Sequence, residues 1–126
     1  METNEITRQI IAAAMRIHSI LGPGLLESAY RACMCHELHL RGLRYQSELP
    51  VPVHYLGFVV EVGYRLDLLV DLVVVELKAV SKTTPVHEAQ LLSYLKMGHQ
   101  SVGLLINFHV SHLRHGIKRM VNNFGR

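Results

Sequence analysis

The run Arg65-Leu66-Asp67-Leu68-Leu69-Val70-Asp71-Leu72-Val73-Val74-Val75-Glu76-Leu77-Lys78 constrains the fold more than any other part of the chain. Leu72 to Val75 is apolar without interruption, the signature of a strand covered on both faces, so helices are expected on either side of a sheet. A two-residue turn at Asp71-Leu72 pairs Val70 with Val73 and sets Asp67 opposite Glu76 and Arg65 opposite Lys78. Strand alternation then groups Leu66, Leu68 and Val70 with Val73, Val75 and Leu77, and puts Glu76 and Lys78 on one face. Two facing carboxylates repel each other and lose solvation. A divalent cation would neutralise both while its other positions hold phosphate and water. Lys78 would then stabilise charge on the phosphate or orient the attacking water. The competing reading is a salt-bridge network of Arg65, Asp67, Glu76 and Lys78. Asp71-Leu72 is also a weakly specified turn, so a slip in register would undo the pairing.

The flanking segments supply the helices. Thr7 is the expected N-cap of a helix over Arg8–Ile20, with Ile10, Ala14, Ile17 and Leu21 as its apolar stripe. Gly22-Pro23-Gly24 interrupts it, and a second helix follows from Leu25 to Leu40, stopped by Gly42. Tyr45–Tyr55 alternates like a strand, but Pro50 and Pro52 cannot donate to a ladder, which makes it an edge. Leu56-Gly57 turns the chain into Phe58–Val62, and Gly63 bends it before Tyr64–Val70. Leu72–Val80 is a further strand, Pro85–Met97 a helix, Ser101–Phe108 a strand, and Leu113–Phe124 a final helix. The order helix-helix, three strands, helix, strand, helix describes an α/β fold with a mixed sheet flanked by helices. The helix from Pro85 makes a crossover to a parallel strand at Val102–Ile106.

With 126 residues, 49% of them hydrophobic and 18% charged, the chain suits one domain, residues 1–126, with a single sizeable core. The net charge of +3 permits an anionic partner without naming one. No apolar run approaches the roughly 20 residues of a membrane span, and METNEITRQI lacks a leader pattern, so no membrane is expected and the expected compartment is the cytoplasm. Cys33 and Cys35 point to different helix faces and form neither a disulfide framework nor a zinc site. Among nine histidines, only His109, His112 and His115 have a suggestive spacing, and a crevice cluster without metal explains them as well.

Gly24-Leu25-Leu26-Glu27-Ser28-Ala29-Tyr30 matches the motif of the GxxExxY proteins of the PD-(D/E)XK nuclease-like superfamily, which this chain resembles. The resemblance continues through Arg65–Val70, Val75–Val80, Pro85–Leu95 and Val102–Phe108, in order and over nearly the whole chain. It departs in two connections, at Val70-Asp71-Leu72 and Lys96–His99, which are each one residue shorter than the usual family form. The resemblance implies a restriction-endonuclease-like core and metal-dependent phosphodiester hydrolysis on nucleic acid, with DNA favoured over RNA. Magnesium or manganese would bind Glu27, Asp67, Glu76 and the carbonyl near Leu77, with Lys78 as the catalytic lysine and Gln90 steadying the site. Tyr30, Arg65, Lys82, His87 and Tyr94 are candidate substrate contacts, Arg41 and Arg44 further phosphate contacts, and Arg114, Lys118 and Arg119 a second basic strip. A homodimer is compatible with action on two-stranded substrates. The other readings are a catalytically silent nucleic-acid-binding module and an interaction protein that keeps the fold.

Overall fold

A computed structural model describes residues 1–61 and 63–122. The chain opens with α1 (Thr3–Leu21) and α2 (Glu27–Leu40), followed by β1 (Tyr45–Pro50) and a short hairpin of β2 (Val53–Tyr55) and β3 (Phe58–Val60). Then come β4 (Arg65–Val70), β5 (Val73–Lys78), α3 (Pro85–Gly98), β6 (Val102–Asn107), a 3-10 turn at Leu113–Gly116 and β7 (Ile117–Val121). The main sheet has five strands in the order β1-β4-β5-β6-β7; only β5 and β6 run parallel, joined through α3.

Strand alternation divides the core into two layers. Val73, Val75 and Leu77 of β5 and Val102, Leu104 and Ile106 of β6 pack on α1 and α2, against Ile6, Ile10, Ile17, Tyr30, Met34 and Leu38. Val74 and Leu105 point the other way, onto Leu91, Tyr94 and Leu95 of α3. Gly103 lets α3 come close: a Cβ there would sit 2.9 Å from the Leu91 Cδ1 methyl. Glu76 alternates with Val74 and therefore emerges on the α3 side.

Several expectations are corrected. Thr7 is not a cap but a buried residue one turn inside α1, its Oγ1 donating to the Thr3 carbonyl at 2.9 Å. The apolar stripe starts earlier than Ile10, at the buried Ile6, so the helix extends toward the N-terminus; Leu21 at its far end is exposed. Phe58–Val60 belongs to a separate two-stranded sheet rather than to one bent strand with β4, while Val62 lies outside the described residues. Leu66 packs with the α3-side cluster, not with Leu68 and Val70. The expected last helix is instead the 3-10 turn followed by β7, an edge strand paired with β6; Asn123 and Phe124 lie outside the described residues. The open hydrogen-bonding edge of β6 is a stronger demand than the weak helical pattern of Leu113–Val121.

Candidate metal and phosphate site

The turn at Asp71-Leu72 forms, with Asp71 at φ 52°, and the β4–β5 ladder pairs Val70 with Val73, Leu69 with Val74 and Leu68 with Val75. It stops one step short of the two acids. Asp67 and Glu76 are not ladder partners; each side chain instead bonds to the other strand's main chain. Glu76 Oε1 accepts the Asp67 N–H at 3.0 Å, and Asp67 Oδ2 accepts the Leu77 N–H at 2.8 Å. The acids thus fill the gap they open, and each fixes the other's position. The expected register, which ran on to Arg65 opposite Lys78, ends before Asp67, and Arg65 pairs only on its other side, with Pro50 of β1.

Glu76 is only 5% exposed. Burial and, next, the charge of Asp67 push its carboxyl up to about 8, against the pull of the Asp67 N–H and of Lys78. Arg31 of α2 approaches Asp67, with its Nη1 3.7 Å from Oδ1 and its Nη2 3.1 Å from Glu48. Sequence reasoning missed Arg31. The available signal was its position one helical turn after Glu27, which puts both on one face of α2.

Glu27 is half-buried at the start of α2. Among the described residues, no three His, Cys, Asp or Glu side chains gather into a group able to hold a metal ion, so the structure brings together Asp67 and Glu76 but not Glu27. The two carboxylates still fit a hard cation by their chemistry: both offer oxygen donors, and the pull of Lys78 does not offset what burial and Asp67 cost the Glu76 anion. The Leu77 carbonyl lies on the same stretch of β5, and Lys78 ends that strand, half-buried. Facing it across the β5–β6 ladder is Asn107, 3% exposed, whose side chain bonds to Val80 N–H and carbonyl and to His109 N–H. Asn107 was also missed; it fixes the chain just beyond Lys78.

On α3, Gln90 Nε2 donates to the Tyr94 hydroxyl at 3.1 Å, and Tyr94 is 5% exposed. Burial raises the Tyr94 phenol, as do the charges of Glu76 and Asp67, which places this ring within electrostatic reach of both acids. His87 takes up the helix start, its Nδ1 accepting the Thr84 N–H at 3.1 Å. Tyr30 is fully buried and stacked on Phe108 with ring centroids 4.3 Å apart. Its hydroxyl donates to the Gly22 carbonyl at 2.6 Å and accepts the Leu25 N–H, which leaves it no surface to offer a ligand.

The remaining cations are dispersed. Arg65 and Lys82 are exposed. Arg41 is engaged by Gln9 and Glu37, and Arg44 stands beside Asp71 at the opposite end of β4. Lys118 pairs with Glu88 at 2.7 Å, Arg119 bonds Asn4, and Arg114 is exposed on the 3-10 turn. His112 and His115 meet edge to face with centroids 6.0 Å apart. Cys33 and Cys35 are free thiols, as their spacing implied. Among the described residues, no helix is long and apolar enough to cross a membrane.

Three comparisons bear on this arrangement. Neither the curated proteins nor the solved structures provide a match. The family model for the PD-(D/E)XK nuclease superfamily matches residues 4–120, a stretch that includes both acids and, but for Thr3 and Val121 at its ends, the three helices and the five-stranded mixed sheet. The chain has an α/β restriction-endonuclease-like fold and belongs to the PD-(D/E)XK nuclease superfamily.

Proposed function

We propose that the chain is a metal-dependent phosphodiester hydrolase acting on nucleic acid, and that its 126 residues work as one nuclease-like domain. The observation that carries this reading is the reciprocal clamp of Asp67 and Glu76, two carboxylates held together inside an apolar sheet. Carboxylates this close are both stable as anions only when a cation offsets their repulsion. Magnesium or manganese suits these oxygens. Asp67, Glu76 and the Leu77 carbonyl would hold the ion, with water completing its coordination; Glu27, at the start of α2, stands outside that group. When bound, such an ion polarises a phosphate and makes hydroxide accessible near neutral pH.

The chain's own groups do the rest. Lys78, two residues beyond Glu76, stabilises charge developing on the phosphate. Gln90 and Tyr94 form a bonded pair that borders the acids and positions the substrate. Arg31 steadies Asp67 and offers a guanidinium to a backbone phosphate. Arg65, Lys82 and the start of α3 at His87 are contacts further along the strand. DNA is favoured over RNA because most enzymes that the chain resembles act on it, and two copies would serve the two strands of a duplex.

The test is titration of wild type and Asp67→Ala/Glu76→Ala protein with magnesium and manganese, followed by cleavage assays on single-stranded, duplex, flap and junction substrates. Binding and cleavage should both need the two acids. Folded wild-type protein that binds neither ion would refute the metal site. A second reading, nucleic-acid binding without cleavage, is favoured by the grouping of two acids rather than three; ion binding with no cleavage of any substrate would select it.

A further inference from the structure

A cavity of about 410 Å3 opens between α3 and the β2–β3 hairpin. Its size falls within the roughly 300–1,000 Å3 of small-molecule sites. Two tyrosines line it, Tyr64 from the segment before β4 and Tyr94 from α3. Val53 and Met97 add apolar surface, while His54, Gln90 and Ser93 add hydrogen-bonding groups. Lys96, also on the lining, is exposed and supplies positive charge. Tyr94 is shared with the candidate metal site: Gln90 bonds its hydroxyl, and that phenol feels Glu76, Asp67 and Tyr64. Tyr94 also packs in one cluster with Leu66 and Val74, so the cavity opens beside the stretches of β4 and β5 that carry Asp67 and Glu76.

We propose that this cavity receives one unpaired nucleobase of a strand whose backbone passes Asp67 and Glu76. The inference rests on the nucleic-acid reading above and adds a preference for single-stranded segments. The exposed Tyr64 ring provides a stacking surface for the π-face of any base, and the polar groups of the lining meet its edge. An ammonium at the lining meets a flanking phosphate. A base inside a duplex is stacked and paired, so it enters such a cavity only after leaving the helix, which costs least at an end, a flap or a single strand. The hairpin forming the outer wall adds exposed Tyr55 and Phe58, 66% exposed each, as further ring surfaces along the path of such a strand.

The experiment is fluorescence anisotropy with labelled oligothymidylate and oligouridylate in a chelator, so that nothing is cleaved. Ser93→Phe fills the cavity from an exposed helix position, and Tyr64→Ala removes one ring at a residue 48% exposed. Each should weaken binding about tenfold in at least one of the two arms, the expected loss of one stacked base. The arm that responds identifies the nucleic acid that supplies the base. An oligonucleotide with abasic sites should bind wild type with at least that deficit, and the substitutions should then have no further effect. Thermal melts verify that both variants are folded; the abasic arm needs no variant. Unchanged affinity in both arms, or abasic binding as tight as that of the intact strand, would overturn the proposal. Cleavage with variant affinities equal to wild type would remove the base pocket alone. A preserved tenfold effect without any metal-dependent cleavage would remove the hydrolase reading alone.

Discussion

At the residue scale, Glu76 determines how the metal-free protein responds to pH. Its folded-state carboxyl is raised to about 8 from an ordinary 4.5, so between those values the unfolded chain gives up a proton that the folded chain keeps. Stability therefore falls as pH rises through this window. Glu76→Gln should flatten the fall, and melting temperatures recorded across the window would show it. Magnesium or manganese should raise the wild-type melting temperature most at the alkaline end, where the ion replaces the missing charge. Lys78→Ala should keep ion binding, measured by calorimetry, while lowering kcat about 100-fold to 1,000-fold, the usual loss of one group that stabilises transition-state charge. Asp67, Glu76 and Lys78 were legible because acids and a lysine punctuate strands of period two. Arg31 was not, since its place one turn after Glu27 gives the helix face but not the strand residue that the side chain reaches. Tyr30 was misleading for the opposite reason: its motif position says nothing of the Phe108 ring that covers it.

At the element scale, β6 and its neighbours hold the site together. Asn107 replaces missing ladder bonds at the end of β6 by bonding to Val80 and His109. Asn107→Ala takes away the partner of those main-chain groups and should cost about 1–3 kcal/mol in urea unfolding. Gly116→Ala should also destabilise, because the new Cβ would lie 2.2 Å from the Asn107 carbonyl oxygen, which the backbone cannot yield without shifting. The elements best read from sequence were those with their own punctuation: the two long helices around Gly22-Pro23-Gly24, the Leu56-Gly57 turn and the valine run of β5. The least legible was β7. Ile117 to Val121 forms a strand because β6 lies beside it with open hydrogen-bonding groups, and that neighbour is fixed by tertiary structure rather than by the local sequence.

At the scale of the whole molecule, the sheet separates two layers of unequal purpose. α1 and α2 close one side with an almost wholly apolar cluster, while α3 closes the other and shares that side with the acids and the cavity. The order β1-β4-β5-β6-β7 also has a consequence for behaviour in concentrated solution. A sheet with two open sides can add strands from other molecules, and each outer strand here carries an obstacle to that addition. On β1, Pro50 lacks an N–H and Glu48 takes a left-handed conformation, φ 52°. On β7, Lys118 reaches to Glu88 of α3 and Arg119 to Asn4 of α1, so charge lies on both faces of the strand. Replacing Lys118 and Arg119 together with valine should leave the fold in place by circular dichroism yet increase light scattering with protein concentration. On that outcome the basic pair on the last strand serves to keep copies of the protein apart, independently of any contact with a phosphate backbone.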